Sequence, residues 1–405
     1  MAPDAAGLVA CASKWQAKGV STISTGIRFV HTADWQLGMP ANFLSEEARH
    51  RFGQARLDAV ERIGAEARAR GAAFVVVAGD VFEYNMLSRQ TVSRALDAMG
   101  AMGVPVLLLP GNHDPLDATT IFEQRSFTEA CPPNVHVLTE DGPQRQLEGV
   151  LPPGLEVVAA PWRTKHPAVN PLGAVLAALD PVPGRLRLVV GHGGMDVLGV
   201  RDDLDILNLQ ALEAAVADGR AHYIALGDRH STTRLGAHHR IWYAGTPEVY
   251  AFDEVDPGNI LLVDLSAGGV EVTPIRVGAW TFVDRTVSLN DADDVDHLEE
   301  WIRHLPQKPL TAVRLHVSGL LPLEARERVA QMPVTVGASL AGLEIVPEGA
   351  GLHIRPADGD LSVLPPGSFA RSVAERLRDR AVGAGEDAAV AEAALGLLLR
   401  VGVGA

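Results

Sequence analysis

The chain has 405 residues, of which 47% are hydrophobic and 21% charged, so it can bury one large core and a smaller second domain. Its formal net charge of -15 argues against a protein that coats nucleic acid by itself, because non-specific binding to phosphates needs clustered lysines and arginines. Its two cysteines, Cys11 and Cys131, exclude a disulfide framework and a thiolate zinc site, which predicts a reducing, cytoplasmic compartment.

Residues 1–26 lack the sustained apolar centre of a signal peptide, because Ser13, Lys14, Gln16 and Lys18 interrupt it. We expect either a flexible leader or a start codon assigned too early. The apolar runs of the sequence are far shorter than the roughly 18 residues of a membrane span, so we predict no membrane association.

From residue 27 to about residue 278, short apolar runs alternate with stretches of helical spacing, which is the pattern of an α/β domain. We predict helices over Ser45–Arg70 and Ser88–Met102, each with a serine N-cap. The predicted strands are Ile27–Thr32, Ala73–Ala78, Val104–Leu109, Leu186–Val190 and His222–Leu226. Two later strands, Ile241–Tyr243 and Ile260–Leu265, lie closer together and resemble a hairpin.

The alternation restarts after Gly278, which predicts a small α+β capping domain over residues 279–350. Its predicted elements are strand Thr281–Leu289, helix Asp293–Leu305, strand Thr311–Val317, helix Leu323–Met332 and strand Leu343–Val346. Residues 347–367 are rich in Gly, Pro and Asp, so we predict that residues 351–405 form a linker and a helical tail. The apolar residues of the tail either pack internally or dock a partner, and the sequence leaves both readings open.

Polar side chains with metal-binding chemistry follow five of the predicted strands. They are Asp34 and Gln36, Asp80, Asn112 to Asp114, His192, and finally Asp228 and His230. Because ligands bind outside the carboxyl ends of strands in α/β sheets, we expect these loops to converge. Oxygen and nitrogen donors without thiolates suit Mn²⁺, Fe²⁺ or similar ions rather than structural zinc. Two such ions roughly 3.5 to 4 Å apart suit phosphoester hydrolysis, with Asp80 as the natural bridging ligand.

The series Asp34-x-Gln36, Gly79-Asp80, GNHD at 111–114, GHG at 191–193 and GDRH at 227–230 resembles the calcineurin-like metallophosphoesterases. The usual pattern of that superfamily is DxH, GD, GNHD, H and GHxH, and the match covers roughly residues 27–265. Three segments, 31–38, 79–83 and 245–248, are similar to the SbcD-type DNA repair nuclease subunits. The resemblance implies an α/β fold built as a four-layer α/β/β/α sandwich, with a small α+β capping domain and a C-terminal helical tail.

Carried over by motif, the resemblance implies that one metal is held by Asp34, Gln36, Asp80 and His230, and the other by Asp80, Asn112, His192 and Asp228. It also implies that His113 faces the scissile phosphate as a general acid or charge stabiliser, with Asp114 orienting it. Gln36 stands where histidine is usual, and Asp228 replaces the first histidine of GHxH. Both can still coordinate through oxygen. We expect two divalent ions, Mn²⁺ first, with Mg²⁺, Fe²⁺ and Zn²⁺ open.

The resemblance implies an SMC-like, SbcC-type ATPase as partner, which would supply the DNA channel that an acidic chain lacks. With it, these observations predict a metal-dependent DNA nuclease, an exonuclease subunit acting in DNA repair. Two alternatives stay open: a stand-alone phosphodiesterase or phosphatase for nucleotides or other small phosphoesters, and a scaffold with a degenerate metal site. Arg163, Lys165 and His166 either contact substrate phosphates or form a solvated loop. His31, inside an apolar strand, is predicted as a core histidine and not as a ligand. The sequence leaves a homodimer open as a further association.

Overall fold

The computed structural model describes residues 26–198, 206–354, 361, 364–381 and 386–403. Apart from Gly26, the predicted leader lies outside the described residues, as do several residues of the predicted linker. Among the described helices, none combines the length and the apolar composition that a membrane crossing requires.

The strands form two six-stranded sheets and one three-stranded sheet. They are β1 Ile27–Thr32, β2 Val75–Val77, β3 Val106–Leu108, β4 Val135–Val137, β5 Gly142–Pro143, β6 Leu155–Ala159, β7 Leu186–His192, β8 Tyr223–Gly227, β9 Thr233–Leu235, β10 Ile241–Tyr243, β11 Asn259–Ser266, β12 Gly269–Arg276, β13 Thr281–Leu289, β14 Thr311–Leu321 and β15 Gly342–Ile354. The first sheet has the order β12-β11-β1-β2-β3-β4, and the second has the order β5-β6-β7-β8-β10-β9.

Nine helices are described alongside these strands. They are α1 Glu46–Ala69, α2 Arg89–Gly100, α3 Arg125–Thr128, α4 Pro171–Ala177, α5 Leu209–Ala217, α6 Ala292–His304, α7 Leu323–Gln331, α8 Phe369–Ala381 and α9 Glu386–Val403. The two predicted serine caps are present. The Ser45 hydroxyl accepts a hydrogen bond from the amide of Ala48 at 3.3 Å, and the Ser88 hydroxyl accepts one from Thr91 at 3.1 Å. Each cap satisfies an amide that the first helical turn leaves free.

The large domain is a four-layer α/β/β/α sandwich, as predicted. One apolar layer, which includes Ile63 and Val77, lies between helices α1 and α2 and the first sheet. A second layer, with Phe74 and Leu188, lies between the two sheets. A third, with Ile224, lies between the second sheet and helices α4 and α5. Because strands β1 to β3 are mutually parallel, and β7 and β8 likewise, their carboxyl ends meet at common edges.

Two details of the sequence prediction are wrong. Strands β10 and β11 do not pair with each other, because β10 joins β8 and β9 in the second sheet while β11 joins β1 and β12 in the first. Strand β15 continues to Ile354, where it still pairs with Leu321 of β14, so the linker predicted from residue 347 begins later. A register shift between Val317 and Gly319 lets the glycine-rich part of β15 stay in the sheet.

The capping domain is a parallel sheet of order β13-β14-β15 that buries one face under helices α6 and α7. Its junction with the large domain is apolar and includes Trp280, whose ring lies edge-on to Phe52 of α1 at 4.9 Å. The buried carboxylate of Glu248 accepts hydrogen bonds from the amides of Ala279 at 2.9 Å and Trp280 at 3.0 Å. The carboxylate of Glu248 therefore holds the backbone at the start of the capping domain in place.

The tail helices α8 and α9 pack against the capping domain. Ala374 of α8 and Leu399 of α9 are buried in a cluster with Leu320 of β14. This contact supports internal packing for the inner side of the tail. The outer side is different, because Phe369 is 85% exposed and Leu397 is 57% exposed, so the docking reading survives there.

Candidate metal centre

Several of the strand ends turn sharply into the candidate site. Asp34, Gln36, Asp80 and Asp228 have left-handed backbones, with φ values of 53°, 48°, 54° and 96°. Three of the four are aspartates, which tolerate this conformation better than most residues, and each aspartate follows the end of its strand by one to three residues. At Gly111 an added Cβ would lie 2.1 Å from the Asp80 Oδ1 atom. Only glycine therefore permits the approach of these two loops.

Asp34, Asp80 and His192 form the buried centre of the site. Each offers one ligand atom, and these atoms lie within 4.8 Å of one another. The Asp80 Oδ1 atom is 3.5 Å from His192 Nε2. The other ring nitrogen, Nδ1, donates to the carbonyl oxygen of Ala78 at 2.9 Å, which holds the ring with Nε2 towards the cluster.

Gln36 and Asn112 also point into this cluster. The Gln36 Nε2 atom donates to Asp80 Oδ2 at 3.0 Å, while its Oε1 atom is buried without a hydrogen-bond partner. With its nitrogen turned towards its neighbours, the Asn112 amide lies 2.8 Å from His192 Nε2 and 3.1 Å from Asp80 Oδ2. A buried amide oxygen with no donor to accept from is costly unless a cation occupies the space beside it.

Asp228 and His230 approach from the loop after β8. The Asp228 amide donates to Asp34 Oδ1 at 2.9 Å, and the Asp228 Oδ1 atom is 3.8 Å from His192 Nε2. His230 Nδ1 lies 2.8 Å from Glu254 Oε1, and its ring lies 4.5 Å from the ring of Tyr250. A carboxylate behind one nitrogen of the imidazole directs the other nitrogen towards a ligand position.

Burial and charge pull the pKa values of this cluster in opposite directions. Burial raises the pKa of Asp34 to about 7, against the lowering effect of His230 and His192. Burial also disfavours the Asp80 carboxylate, but the charges of His192 and His113 outweigh it and lower the pKa of Asp80 to about 2. Burial opposes the charged form of His192 as well, yet Asp80 and Asp34 raise its pKa to about 10. Groups that perturb one another so strongly mark a functional site.

His113 lies at the mouth of the cluster and is only partly buried. Its Nε2 atom is 4.0 Å from Asp80 Oδ2, and its Nδ1 atom lies 3.2 Å from the carbonyl oxygen of Glu83. The expectation that Asp114 orients His113 stays a prediction. Asp114 is fully buried, and its carboxylate accepts hydrogen bonds from the amides of Gly111 at 2.8 Å and Phe82 at 3.0 Å. It therefore braces the GNHD loop, and the Glu83 carbonyl orients the ring.

The predicted substrate contacts directly follow Trp162 and are exposed. Arg163 pairs with Asp141 at 3.2 Å, and both side chains are about half exposed. Lys165 and His166 are exposed, and their role as substrate contacts stays a prediction. His31 is a core histidine, as predicted, because it is fully buried with Nδ1 at 3.0 Å from the Tyr223 hydroxyl.

Sequence reasoning assigned no role to four residues around the site: Glu83, Trp162, Tyr250 and Glu254. The Trp162 Nε1 atom donates to the carbonyl oxygen of His192 at 2.9 Å, and the Tyr250 hydroxyl donates to Glu83 Oε1 at 3.3 Å. Trp162 and Glu83 each follow a strand, as the ligands do, so their place in the sequence could have indicated that they lie near the site. Tyr250 and Glu254 lie in a loop without such a pattern.

The donor set fits divalent metal ions. Carboxylate, amide and imidazole atoms converge without thiolates, and Gln36, whose Nε2 atom donates to Asp80, keeps a buried Oε1 atom without a hydrogen-bond partner. Mn²⁺, Fe²⁺ and Zn²⁺ all accept such ligands.

A family model described as calcineurin-like phosphoesterase matches residues 27–269. The chain belongs to this family. This confirms the predicted family and fold, and it makes the chain a phosphoester hydrolase of a family that uses divalent metals.

A relative in Escherichia coli (strain K12), the D subunit of the nuclease SbcCD, is 26% identical over 279 residues. The aligned region covers 60% of this chain and 66% of that protein, so the chain spans slightly less than two thirds of its length. Among solved structures, TT1561 of Thermus thermophilus has a TM-score of 0.39 and 12% identity, covering 62% of this chain and 100% of that one. A dimetal phosphatase from Danio rerio has a TM-score of 0.39 and 15% identity, covering 62% and 99%.

Proposed function

We propose that the chain is a Mn²⁺-dependent DNA nuclease subunit that acts with an SMC-like ATPase. The observation that carries the proposal is the meeting of five strand-end loops in one buried cluster, with His113 at its mouth. The name of the Escherichia coli relative, a nuclease subunit, supports a nucleic acid as the substrate. The acidic chain, with a net charge of -15, is poorly suited to hold DNA alone, which supports a partner that does.

The residues that would hold the ions are those of the cluster. In this proposal Asp80 is shared, with Asp34, Gln36 and His230 on one side and Asn112, His192 and Asp228 on the other. When bound, two divalent ions supply an activated water and positive charge for the phosphoryl oxygens. The oxygen donors of Gln36 and Asp228, where the family pattern has histidines, favour Mn²⁺ over ions that prefer imidazole.

His113 completes the reaction in this proposal. The Glu83 carbonyl holds Nδ1, so Nε2 faces the cluster, 4.0 Å from Asp80 Oδ2. From there it can donate a proton to the leaving oxygen of the cleaved ester, a role that suits imidazole near neutral pH. Asp114 keeps the loop in place by binding its backbone amides.

A metal-by-substrate activity screen tests this proposal. The purified chain, with and without its ATPase, is given Mn²⁺, Mg²⁺, Fe²⁺ or Zn²⁺ and either DNA or a small phosphodiester. We expect Mn²⁺-dependent DNA cleavage that the ATPase increases. We also expect His113→Ala to remove ~10²- to 10⁴-fold of the rate while both metals stay bound.

Two other outcomes would replace the proposal. Hydrolysis of the small phosphodiester, with no cleavage of DNA under any condition, identifies a stand-alone phosphoesterase. Empty metal sites and no hydrolysis of either substrate identify a scaffold with a degenerate site.

A further inference from the structure

A cavity of about 520 Å³ opens between helices α1 and α2. One wall is the segment from Leu37 to Met39, which directly follows the candidate ligand Gln36. Arg49 and His50 of α1 and Arg94 of α2 line the cavity. Among the described residues that line it, none is an aspartate or a glutamate. The cavity therefore carries positive side chains in a chain whose net charge is -15.

The two outer arginines lack carboxylate partners. Arg49 donates to the neutral amide of Asn42 at 3.4 Å, and Arg94 donates to the neutral amide of Gln54. Within the described part of the chain, neither takes part in a salt bridge. Other arginines do, as when Arg28 pairs with Asp264 at 2.8 Å. The guanidinium charges of the cavity are therefore available to an anionic ligand.

A third arginine forms the floor of the cavity. Arg56 is 2% exposed, and its Nε atom is buried without a hydrogen-bond partner. Its Nη1 atom donates to the carbonyl oxygen of Trp35 at 2.7 Å, and its Nη2 atom donates to that of Val249 at 3.0 Å. Trp35 lies between Asp34 and Gln36, so the floor of the cavity is hydrogen-bonded to the metal-site loop.

We propose that this cavity, the α1/α2 cleft, binds phosphodiester groups that flank the scissile bond of a polynucleotide. The inference rests on the proposed nuclease function and deepens it. Guanidinium groups bind phosphate through paired N–H donors, and Thr91 and Gln90 at the first turn of α2 add neutral donors. A simple phosphodiester carries no flanking phosphate, so the cleft distinguishes a polymer from a small substrate.

The test compares Arg49→Gln, Arg94→Gln and the double variant with the unchanged full chain in Mn²⁺. Arg145→Gln is the matched control, because Arg145 lines a different cavity beside β5 and β6. Substrates are a short single-stranded oligonucleotide and bis(p-nitrophenyl) phosphate. For the double variant we expect the KM for the oligonucleotide to rise on the order of 10-fold with kcat retained. The slope of log affinity against log salt should become shallower by ~1.4, about 0.7 for each lost phosphate contact.

If the double variant keeps the KM for the oligonucleotide and the salt slope of the unchanged chain, the proposed phosphate binding in the cleft is wrong. An equal loss of activity on the small diester would also contradict it, because such a loss indicates damage to the fold. Oligonucleotide binding, measured by fluorescence anisotropy, separates this proposal from the nuclease proposal. If the unchanged chain binds the oligonucleotide without cleaving it, and the double variant weakens that binding, phosphate binding in the cleft is supported and the nuclease function is contradicted. If cleavage occurs and the variants leave it unaltered, the nuclease function is supported and phosphate binding in the cleft is contradicted.

Discussion

The carboxylate of Glu254 holds the imidazole of His230 against the loop that carries Tyr250. Its Oε1 atom lies 2.8 Å from His230 Nδ1, and its Oε2 atom accepts a hydrogen bond from the amide of Tyr250 at 2.9 Å. The Tyr250 hydroxyl in turn donates to Glu83, whose carbonyl oxygen lies beside His113 Nδ1. A chain of hydrogen bonds thus joins a candidate metal ligand to the candidate general acid.

We predict that Glu254→Gln weakens Mn²⁺ binding by ~10- to 100-fold, because the amide no longer orients His230 as a carboxylate does. Calorimetric titration of the metal-free chain measures this directly. Asp253→Asn is the control, since Asp253 precedes Glu254 and lines a cavity with Asp228 and His230, but is exposed. Equal Mn²⁺ affinity in Glu254→Gln and the unchanged chain contradicts the role given to this carboxylate.

The double change Gln36→His with Asp228→His should shift metal preference from Mn²⁺ towards Zn²⁺ or Fe²⁺. It replaces two oxygen donors with imidazoles and removes one negative charge, leaving two carboxylates, Asp34 and Asp80. Competition titrations of Mn²⁺ against Zn²⁺ in both forms measure the shift. Identical selectivity would show that these two side chains do not coordinate the ions.

Because of His31, the free energy of unfolding should decrease as the pH falls below 6.5. Burial lowers the pKa of His31 from 6.5 to about 3, so the unfolded chain binds a proton that the folded chain refuses. Stability from this group is present above pH 6.5 and is lost as the pH falls towards 3, by about 1.4 kcal/mol for each unit. In His31→Gln, the contribution of this histidine to the slope of unfolding free energy against pH should disappear. Urea unfolding of the metal-free protein at several pH values measures it.

His304→Gln serves as the control for that experiment, because the His304 side chain is 73% exposed. Its slope should match that of the unchanged chain. If His31→Gln also keeps the full slope, other groups carry the acid sensitivity.

The two sides of the tail should respond differently to substitution. Leu399→Ala removes a buried contact to Leu320 and should lower the free energy of unfolding by ~2 kcal/mol. Phe369→Ala combined with Leu397→Ala alters exposed positions and should change it by less than ~0.5 kcal/mol, while weakening association with the ATPase. Thermal unfolding and size-exclusion chromatography with the ATPase measure the two effects. Unaltered association in the exposed double variant argues for packing alone.

Local patterns predicted much of the framework. Strand β1 begins and ends where the apolar run does, and both serine caps act as predicted, because strand length and capping depend on neighbours in sequence. Strand β4, Val135–Val137, was missed because three residues between polar stretches carry no period. The contacts of Asp114 could not be predicted, because its partners, the amides of Gly111 and Phe82, follow from the path of the folded backbone.

The left-handed backbones at Asp34, Gln36, Asp80 and Asp228 have a consequence for directed evolution. Each costs on the order of 1 kcal/mol that glycine would not, so a library selected for heat resistance alone is driven towards glycine at these positions. Every such gain deletes a candidate ligand. Thermostable variants of this chain must therefore be screened for metal content in the same round. Otherwise selection relieves the backbone strain of these loops by removing the candidate metal ligands.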